Sequence, residues 1–202
     1  MKVKKLSFGL STLAALSVIP VAVVAMPLVV NQPVHAQAVY GLIFDKWASM
    51  GGSNSALGAA KTDEQPAARG GRFNEFKNGF IYWHPKFGAH AVYGLIGVKW
   101  NQLRRENGLG YPITDELPTA NGGRFNDFEN NASIYWHPNT GTYAVYGDIR
   151  TKWVSMGREK SRLGYPTSDE QPSGSAGQRV SNFQGGAIYW NSGSRQVTVT
   201  YK

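Results

Sequence analysis

The chain contains six tryptophans that fall into two interleaved series of regular spacing. The series are Trp47, Trp100 and Trp153, and then Trp83, Trp136 and Trp190. Members of the first series are 53 residues apart, and the second series follows at nearly the same period. Recurrence over this distance is typical of tandem structural units that bury their apolar faces against one another. The sequence therefore predicts three copies of one unit.

The N-terminal segment predicts an export signal. Lysines at positions 2, 4 and 5 precede an apolar run from about Leu6 to Val30, and small residues up to Ala36 form a signal-peptidase site. A retained membrane anchor is the alternative, because the run approaches the ~20 apolar residues that span a bilayer. We expect residues 1–36 to be the signal and residues 37–202 to be the folded domain.

Charge and cysteine content limit the classes of function. The formal net charge is +8 and there is no cysteine. The basic residues form no long run, so nothing indicates a nucleic-acid track. Without cysteine there is no disulfide framework and no thiol chemistry. The positive charge fits an anionic cell envelope but is also a common surface charge.

The first half of each unit predicts a short helix after the tetrapeptide Ala-Val-Tyr-Gly. In the first unit Ile43, Trp47 and Met50 occupy positions i, i+4 and i+7, which lie on one helix face. The other two units repeat this spacing, and Gly51, Gly108 and Gly157 lie near the expected helix ends. We therefore expect Trp47, Trp100 and Trp153 to be core residues. The units are residues 38–90, 91–143 and 144–202.

The second half of each unit predicts a small antiparallel meander. Residues 72–76 alternate in character, Asn78-Gly79 is a tight-turn signal, and residues 80–83 are aromatic and β-branched. One such unit cannot bury its own apolar face, so the units are expected to stack. The fold class predicted is mainly β (α+β per unit), with three tandem repeats of about 53 residues in a propeller-like or arc-like array.

Two recurring sets of polar residues raise the question of catalysis. Each unit has adjacent carboxylates, at Asp63-Glu64, Asp115-Glu116 and Asp169-Glu170. A glycosidase needs two carboxylates about 5–10 Å apart, but repetition in every unit favours structural roles. We expect the aspartates to cap turns and the glutamates to pair with Arg72, Arg124 and Arg179. His84 and His137 have no counterpart in the third unit, which argues against a metal site.

Aromatic residues beside polar ones supply the material for carbohydrate binding in every unit. Adjacent strand residues face opposite ways, so one member of each Tyr-Trp pair is expected to face outward or into a groove. The alternative is that all these aromatics are core residues. The candidate ligand-binding residues are Tyr82, Trp83, Arg72, Asn74, Tyr135, Trp136, Arg124, Asn126, Tyr189, Trp190, Arg179 and Asn182.

The order of motifs resembles the LGFP-repeat family. Leu-Gly-Tyr-Pro stands at residues 109–112 and 163–166, with Tyr in place of Phe, while the first unit has Leu-Gly-Ala-Ala at residues 57–60. Thr-Asp-Glu, Gly-Gly-Arg-Phe and Ile-Tyr-Trp-His-Pro elements recur in the same order. The resemblance implies an exported, cell-envelope-associated protein of actinobacterial type. It implies wall attachment or glycan binding and supplies no catalytic residues.

The leading hypothesis is a non-catalytic, secreted module that is associated with the cell wall and binds its polysaccharide or peptidoglycan. Envelope proteins are a further possible partner, and neither nucleic acid nor stable membrane insertion after cleavage is expected. No catalytic residue, cofactor or metal is predicted. Two alternatives stay open: a structural envelope protein that binds other proteins, and a hydrolase of wall glycans that uses an Asp-Glu pair.

Overall fold

The computed structural model describes residues 38–202, and the predicted signal, residues 1–36, lies outside the described residues. Each unit contributes one α-helix: α1 (Gly41–Ser49), α2 (Gly94–Gln102) and α3 (Gly147–Ser155). Five 3₁₀ turns are Gly52–Asn54, Ala68–Gly70, Arg105–Asn107, Ala120–Gly122 and Arg158–Lys160. None of the helices in this part of the chain has the length and apolar character needed to cross a membrane.

Twelve strands within residues 38–202 form three separate sheets. They are β1 (Gln65–Pro66), β2 (Arg72–Phe76), β3 (Gly79–His84), β4 (Gly88–Tyr93), β5 (Leu117–Pro118), β6 (Arg124–Phe128), β7 (Ala132–His137), β8 (Gly141–Tyr146), β9 (Gln171–Pro172), β10 (Gln178–Phe183), β11 (Gly186–Asn191) and β12 (Val197–Tyr201). Each sheet is a four-stranded antiparallel meander in sequence order. The predicted fold class, mainly β with one helix per repeat, is confirmed.

The helices join the sheets because each helix after the first packs between two of them. Trp100 of α2 stacks on Phe128 of its own sheet and meets Tyr82 of the preceding sheet edge-on, at a centroid distance of 4.8 Å. Trp153 of α3 makes the equivalent contacts, and both tryptophans are 0% exposed. The prediction that the helix tryptophans are core residues is confirmed for these two. Trp47 is half-buried, because no described sheet covers the outer side of α1.

An aspartate that recurs in every unit, joined by an asparagine in the first two, also binds the backbone of the segment before each helix. Strand β4 lies at the edge of its sheet. The N–H of Ala91 in this strand donates to Asp115, which precedes the second sheet, and the Ala91 carbonyl accepts from Asn126 of β6 in that sheet. The Lys46 ammonium of α1 also reaches Asp115, at 2.7 Å. Backbone groups of an unprotected edge would invite pairing with another chain, so these contacts protect the edge as well as joining the units.

A tyrosine from each Leu-Gly-Tyr-Pro segment fits into the preceding unit. Tyr111 stacks against His84 at 4.6 Å and its hydroxyl donates to the Ala68 carbonyl. A Cβ at Gly71 would collide with this hydroxyl, which accounts for the Gly-Gly-Arg-Phe motif. Tyr165 repeats the arrangement with His137. The first unit has alanine at this position, and nothing among residues 38–202 precedes it to receive a tyrosine.

One predicted helix end is wrong. Gly51 and Gly157 follow α1 and α3 with left-handed backbones, at φ 105° and 102°. After α2 the equivalent residue is Arg104 at φ 63°, and Gly108 lies further on at negative φ. An L-residue in this region is strained. The next residue, Arg105, also has positive φ, and its guanidinium packs over the Phe80 ring at 4.3 Å.

Candidate functional site

Four side chains from distant parts of each unit meet at the surface beside the start of its helix. They are a tyrosine from the residue before the helix, a glutamate from the Asp-Glu pair, an arginine and a tryptophan. We call these clusters the aromatic pockets. Their members are Tyr40, Glu64, Arg72 and Trp83 in the first unit, Tyr93, Glu116, Arg124 and Trp136 in the second, and Tyr146, Glu170, Arg179 and Trp190 in the third.

Strand pairing fixes the arginine beside the tryptophan. Arg72 of β2 lies directly opposite Trp83 of β3, and Arg124 lies opposite Trp136 in the same register. Directly opposed residues of an antiparallel pair project from the same face with Cβ atoms ≈ 4.5–5.5 Å apart. The third unit keeps this register with Arg179. The indole and the guanidinium therefore emerge together in all three units.

Open cavities mark the aromatic pockets of the first and third units. The first has a volume of about 230 Å³ and is lined by the Tyr40 and Trp83 rings, the Glu64–Arg72 pair and the first residues of α1. The third has about 240 Å³ and is lined by Tyr146, Trp190, Glu170 and the first residues of α3. All three tryptophans are half-buried, so part of each indole is open to solvent.

Ion pairs between glutamate and arginine occur in every aromatic pocket. Glu64 pairs with Arg72, Glu170 accepts from Arg179 at 2.9 Å, and Glu116 lies 3.9 Å from Arg124. The predicted pairing of glutamate with arginine is thus confirmed. The hydrogen bond to Glu170 raises the pKa of Arg179, so this guanidinium stays charged.

Burial shifts pKa values in the aromatic pockets of the second and third units. It raises the pKa of Glu116, although Arg124 and a hydrogen bond from Tyr93 act in the opposite direction. Burial also raises the pKa of Tyr93 and of Tyr146, so both phenols remain protonated donors at neutral pH. Each of these pockets therefore combines aromatic surface with fixed donors and acceptors. This combination suits a ligand that has an apolar face and hydroxyl groups at its edge.

Half of the residues predicted to bind ligand belong to the aromatic pockets. They are Arg72, Trp83, Arg124, Trp136, Arg179 and Trp190. Tyr82 and Tyr135 are only 2% and 1% exposed, because the opposite face of their strands packs against the helix of the next unit. These two tyrosines are core residues, and their prediction as ligand contacts is corrected. Tyr189 is half-buried on the face of β11 away from Trp190.

The three predicted asparagines are also outside the aromatic pockets. Asn74 and Asn126 are fully buried and bind backbone carbonyls, including those of Ala38 and Ala91. Asn182 is not their counterpart: Ser181 pairs with Ile188 in the register by which Asn74 pairs with Ile81. The amide groups of Asn182 donate to Ser168 instead. All three asparagines therefore act in the fold.

Two members of each aromatic pocket were missed as ligand contacts. The missed tyrosines are Tyr40, Tyr93 and Tyr146, and the missed glutamates are Glu64, Glu116 and Glu170. Their recurrence at the same period as the tryptophans was available as a signal. The sequence does not show that the helix start and the Asp-Glu turn lie beside strand β3, because that proximity arises only in the folded unit.

The aspartates and histidines that raised the question of catalysis have structural partners. Asp63, Asp115 and Asp169 accept backbone N–H groups of Ala38, Ala91 and Ala144. The His84 ring nitrogens bond the Arg69 carbonyl and the Lys86 N–H, and His137 repeats this pattern. Within residues 38–202, no three histidine, aspartate or glutamate side chains are grouped as metal ligands.

The chain folds into three meander sheets, and each helix after the first packs between two of them. The same pocket residues recur in each unit, so this is a tandem-repeat protein. The chain belongs to the LGFP repeat family, whose profile matches residues 57–108, 109–161 and 163–201. This profile begins its repeat at the Leu-Gly element, within the first unit as we number it. Such repeats suggest an envelope-associated module.

A search of the curated proteins finds no match. Among solved structures, the extracellular domain of BT4673 from B. thetaiotaomicron matches with a TM-score of 0.20 and 10% identity. The alignment covers 70% of this chain and 16% of that one, so the chain spans less than a fifth of that structure's length. A similarity of this size adds nothing to the account of the fold or the pockets.

Proposed function

We propose that the protein is a non-catalytic, exported module that binds a cell-wall polysaccharide or peptidoglycan through its aromatic pockets. The observation that supports this most is the recurrence of the same four side chains in three units. The indole can cover the apolar face of a sugar ring, while the Glu–Arg pair and the tyrosine hydroxyl bond its hydroxyl groups. Repeated weak sites on one rigid chain suit attachment to a polymer, because avidity can exceed single-site affinity by about 10²–10⁴.

Co-sedimentation with insoluble cell-wall material tests this proposal. The wild-type protein is expected in the pellet, with retention that survives a moderate salt wash because aromatic contacts are not screened by salt. A variant with Trp83, Trp136 and Trp190 changed to alanine is expected in the supernatant. The matched control changes Phe44, Val98 and Tyr201, which are exposed side chains outside these pockets, to alanine. Equal loss in both variants would contradict specific recognition.

An enzyme that hydrolyses wall glycans is the first alternative, and one electrostatic feature favours it. Burial raises the pKa of Glu116. Burial acts in the same direction on Asp115, but the nearby His90 ring and the bonds from Lys46 and the Ala91 N–H outweigh it and lower the pKa of Asp115. Adjacent carboxyl groups with separated pKa values are typical of acid–base pairs. The hydrolase hypothesis predicts that Glu116→Gln abolishes release of reducing sugar; no release by wild type from any wall polymer would reject it.

A structural protein that binds other proteins is the second alternative, favoured by an apolar groove beside α2. Leu95 and Val98 are more than half exposed and line a cavity of about 750 Å³ with the β2–β3 turn. The helix of the next unit carries a charged residue near the equivalent place: Arg150 donates hydrogen bonds to Ser133 and Asp127. The control variant above also changes Val98. Loss of wall retention in that control alone would favour this alternative.

A further inference from the structure

The aromatic pockets differ at one position of their rims, which is the second residue of each helix. This residue is Leu42 in α1, Leu95 in α2 and Asp148 in α3. Leu42 lines the cavity of the first pocket, and Asp148 lines the cavity of the third. An apolar side chain at the rim of the first pocket is thus replaced by a carboxylate at the rim of the third.

The arginine of the ion pair is also placed differently in these two cavities. Arg72 is part of the wall of the first cavity, together with Glu64. Among the described residues, the third cavity is lined by Glu170 without Arg179. The Arg179 guanidinium instead donates to the Glu170 carboxylate at 2.9 Å and to the Glu170 main-chain carbonyl at 3.2 Å. The wall of the first cavity therefore carries one carboxylate and one guanidinium, whereas the wall of the third carries two carboxylates.

Two aromatic rings complete the wall of the third cavity. Tyr146 and Trp190 both line this space of about 240 Å³. The electron-rich face of a tryptophan or tyrosine ring attracts an ammonium group, and carboxylates beside it accept hydrogen bonds from its N–H groups. Two rings and two carboxylates around one small cavity therefore suit a protonated amine. The first cavity has the two rings as well, but its one carboxylate is paired with a guanidinium that shares the cavity wall.

The carboxylate of Asp148 has no structural partner that accounts for it. The residue is exposed, and within the described part of the chain its side chain makes no hydrogen bond or ion pair. The nearby Arg150 is bound to Asp127 at 2.9 Å. A carboxylate in the first turn can stabilise a helix through the helix dipole, yet α1 and α2 have the same length and no acidic residue there. Formation of the helix alone therefore does not explain this residue.

We propose that the third aromatic pocket binds a sugar that carries a free, protonated amino group, and that the first binds a sugar whose amino group is acylated. The inference rests on the proposed binding of wall glycan and names the sugar chemistry that each pocket selects. The Trp190 indole covers the face of the sugar ring, and Asp148 and Glu170 accept hydrogen bonds from its ammonium group. In the first pocket the methyl group of an acylated amine contacts Leu42 instead.

Titration calorimetry with two probes that differ only at the amino group tests this selection. The probes are the trisaccharide of glucosamine and its fully N-acetylated form, and the protein is used in the form that its cells produce. Asp148→Asn keeps the size of the side chain and removes its charge. It is expected to lower affinity for the glucosamine probe by about 10-fold and to leave affinity for the N-acetylated probe unchanged. Asp45→Asn makes the identical change at an exposed aspartate of α1 outside the pockets and should affect neither probe.

Tryptophan variants show which pocket holds each probe. Trp190→Ala is expected to remove tight binding of the glucosamine probe. Trp83→Ala is expected to retain that binding and to lose part of the binding of the N-acetylated probe. Circular dichroism of each variant keeps a folding defect separate from a binding defect.

An amine without a sugar ring tests whether the pocket selects an amino sugar or any amine. N-acetyl-lysine amide is expected to bind wild type at least about 10-fold more weakly than the glucosamine probe, since it offers no ring face to the indole. Binding of this amine as tight as that of the sugar would overturn the assignment. Equal affinity of wild type for the two sugar probes, or unchanged binding by Asp148→Asn, would also overturn it and leave wall binding in place. Failure of wild type to sediment with cell walls is the separate result that rejects the proposed function.

Discussion

The buried surfaces between units and the aromatic pockets use similar residues but leave them in different surroundings. Strand β3 contributes to both, because Tyr82 points toward the next unit and Trp83 points into a pocket. Tyr82 is enclosed by Trp100 and by the Tyr111 ring. Trp83 packs against the buried cluster that contains Ile43, but it also lines an open pocket with Tyr40 and the Glu64–Arg72 pair, and it stays half-buried. An aromatic side chain that the next unit closes stabilises the array, and one that no unit closes is available to a ligand.

The largest contrast is expected from removing one tryptophan of each kind. Trp153→Ala leaves a cavity between two sheets, so the free energy of unfolding should fall by about 3–5 kcal/mol. Trp190→Ala removes a partly buried ring that lines a pocket and should cost less, about 2 kcal/mol. Urea unfolding followed by circular dichroism measures both. Similar losses for the two variants would remove the distinction between buried and pocket tryptophans.

The ion pair between units is expected to contribute less, and in a pH-dependent way. Because the folded state lowers the pKa of Asp115, folded protein binds its proton less tightly than unfolded protein does. The resulting stability is present above the ordinary aspartate pKa and is lost as the pH falls below about 4. Asp115→Asn should therefore cost about 1–2 kcal/mol at pH 7, discounted for partial exposure, and much less at pH 2–3. Urea midpoints at several pH values check this; a pH-independent loss would argue against the ion pair.

A similar or smaller effect is expected from the tyrosine hydroxyl that joins the second and third units. Tyr165→Phe keeps the ring stacked on His137 but removes the bonds of its hydroxyl to the Ala120 carbonyl and to the Thr119 hydroxyl. Losing these bonds should cost about 1–2 kcal/mol. Thermal unfolding by calorimetry measures the change. An unaltered melting temperature would show that the ring alone holds the units together.

Much of the fold follows from short-range patterns in the sequence. The i, i+4, i+7 spacing gave the helices, the Asn-Gly turn gave the β2–β3 hairpin, and the Glu–Arg pairs followed from recurrence. These features depend on residues that are close in the chain or bound by strand register.

The orientation of the Tyr-Trp pairs did not follow from the sequence, for a physical reason. Alternation separates Tyr82 from Trp83 but does not say which faces the ligand, because in the first two units both faces of the sheet are covered by helices.

The prediction of Asn182 as a counterpart of Asn74 and Asn126 rests on its residue type and not on its strand register. Aligning Arg179 and Phe183 with Arg72 and Phe76 would have placed Ser181 at the buried position.

The most direct test of the central claim is a binding isotherm on insoluble cell-wall material for a series with one, two and three pocket tryptophans changed to alanine. We predict a stepwise loss: about 10-fold for Trp83→Ala, rising to at least about 10²-fold when Trp136 and Trp190 are also changed. The Phe44, Val98 and Tyr201 control should bind like wild type, and circular dichroism should show all variants folded. Unchanged binding of the folded triple variant would contradict recognition by the aromatic pockets.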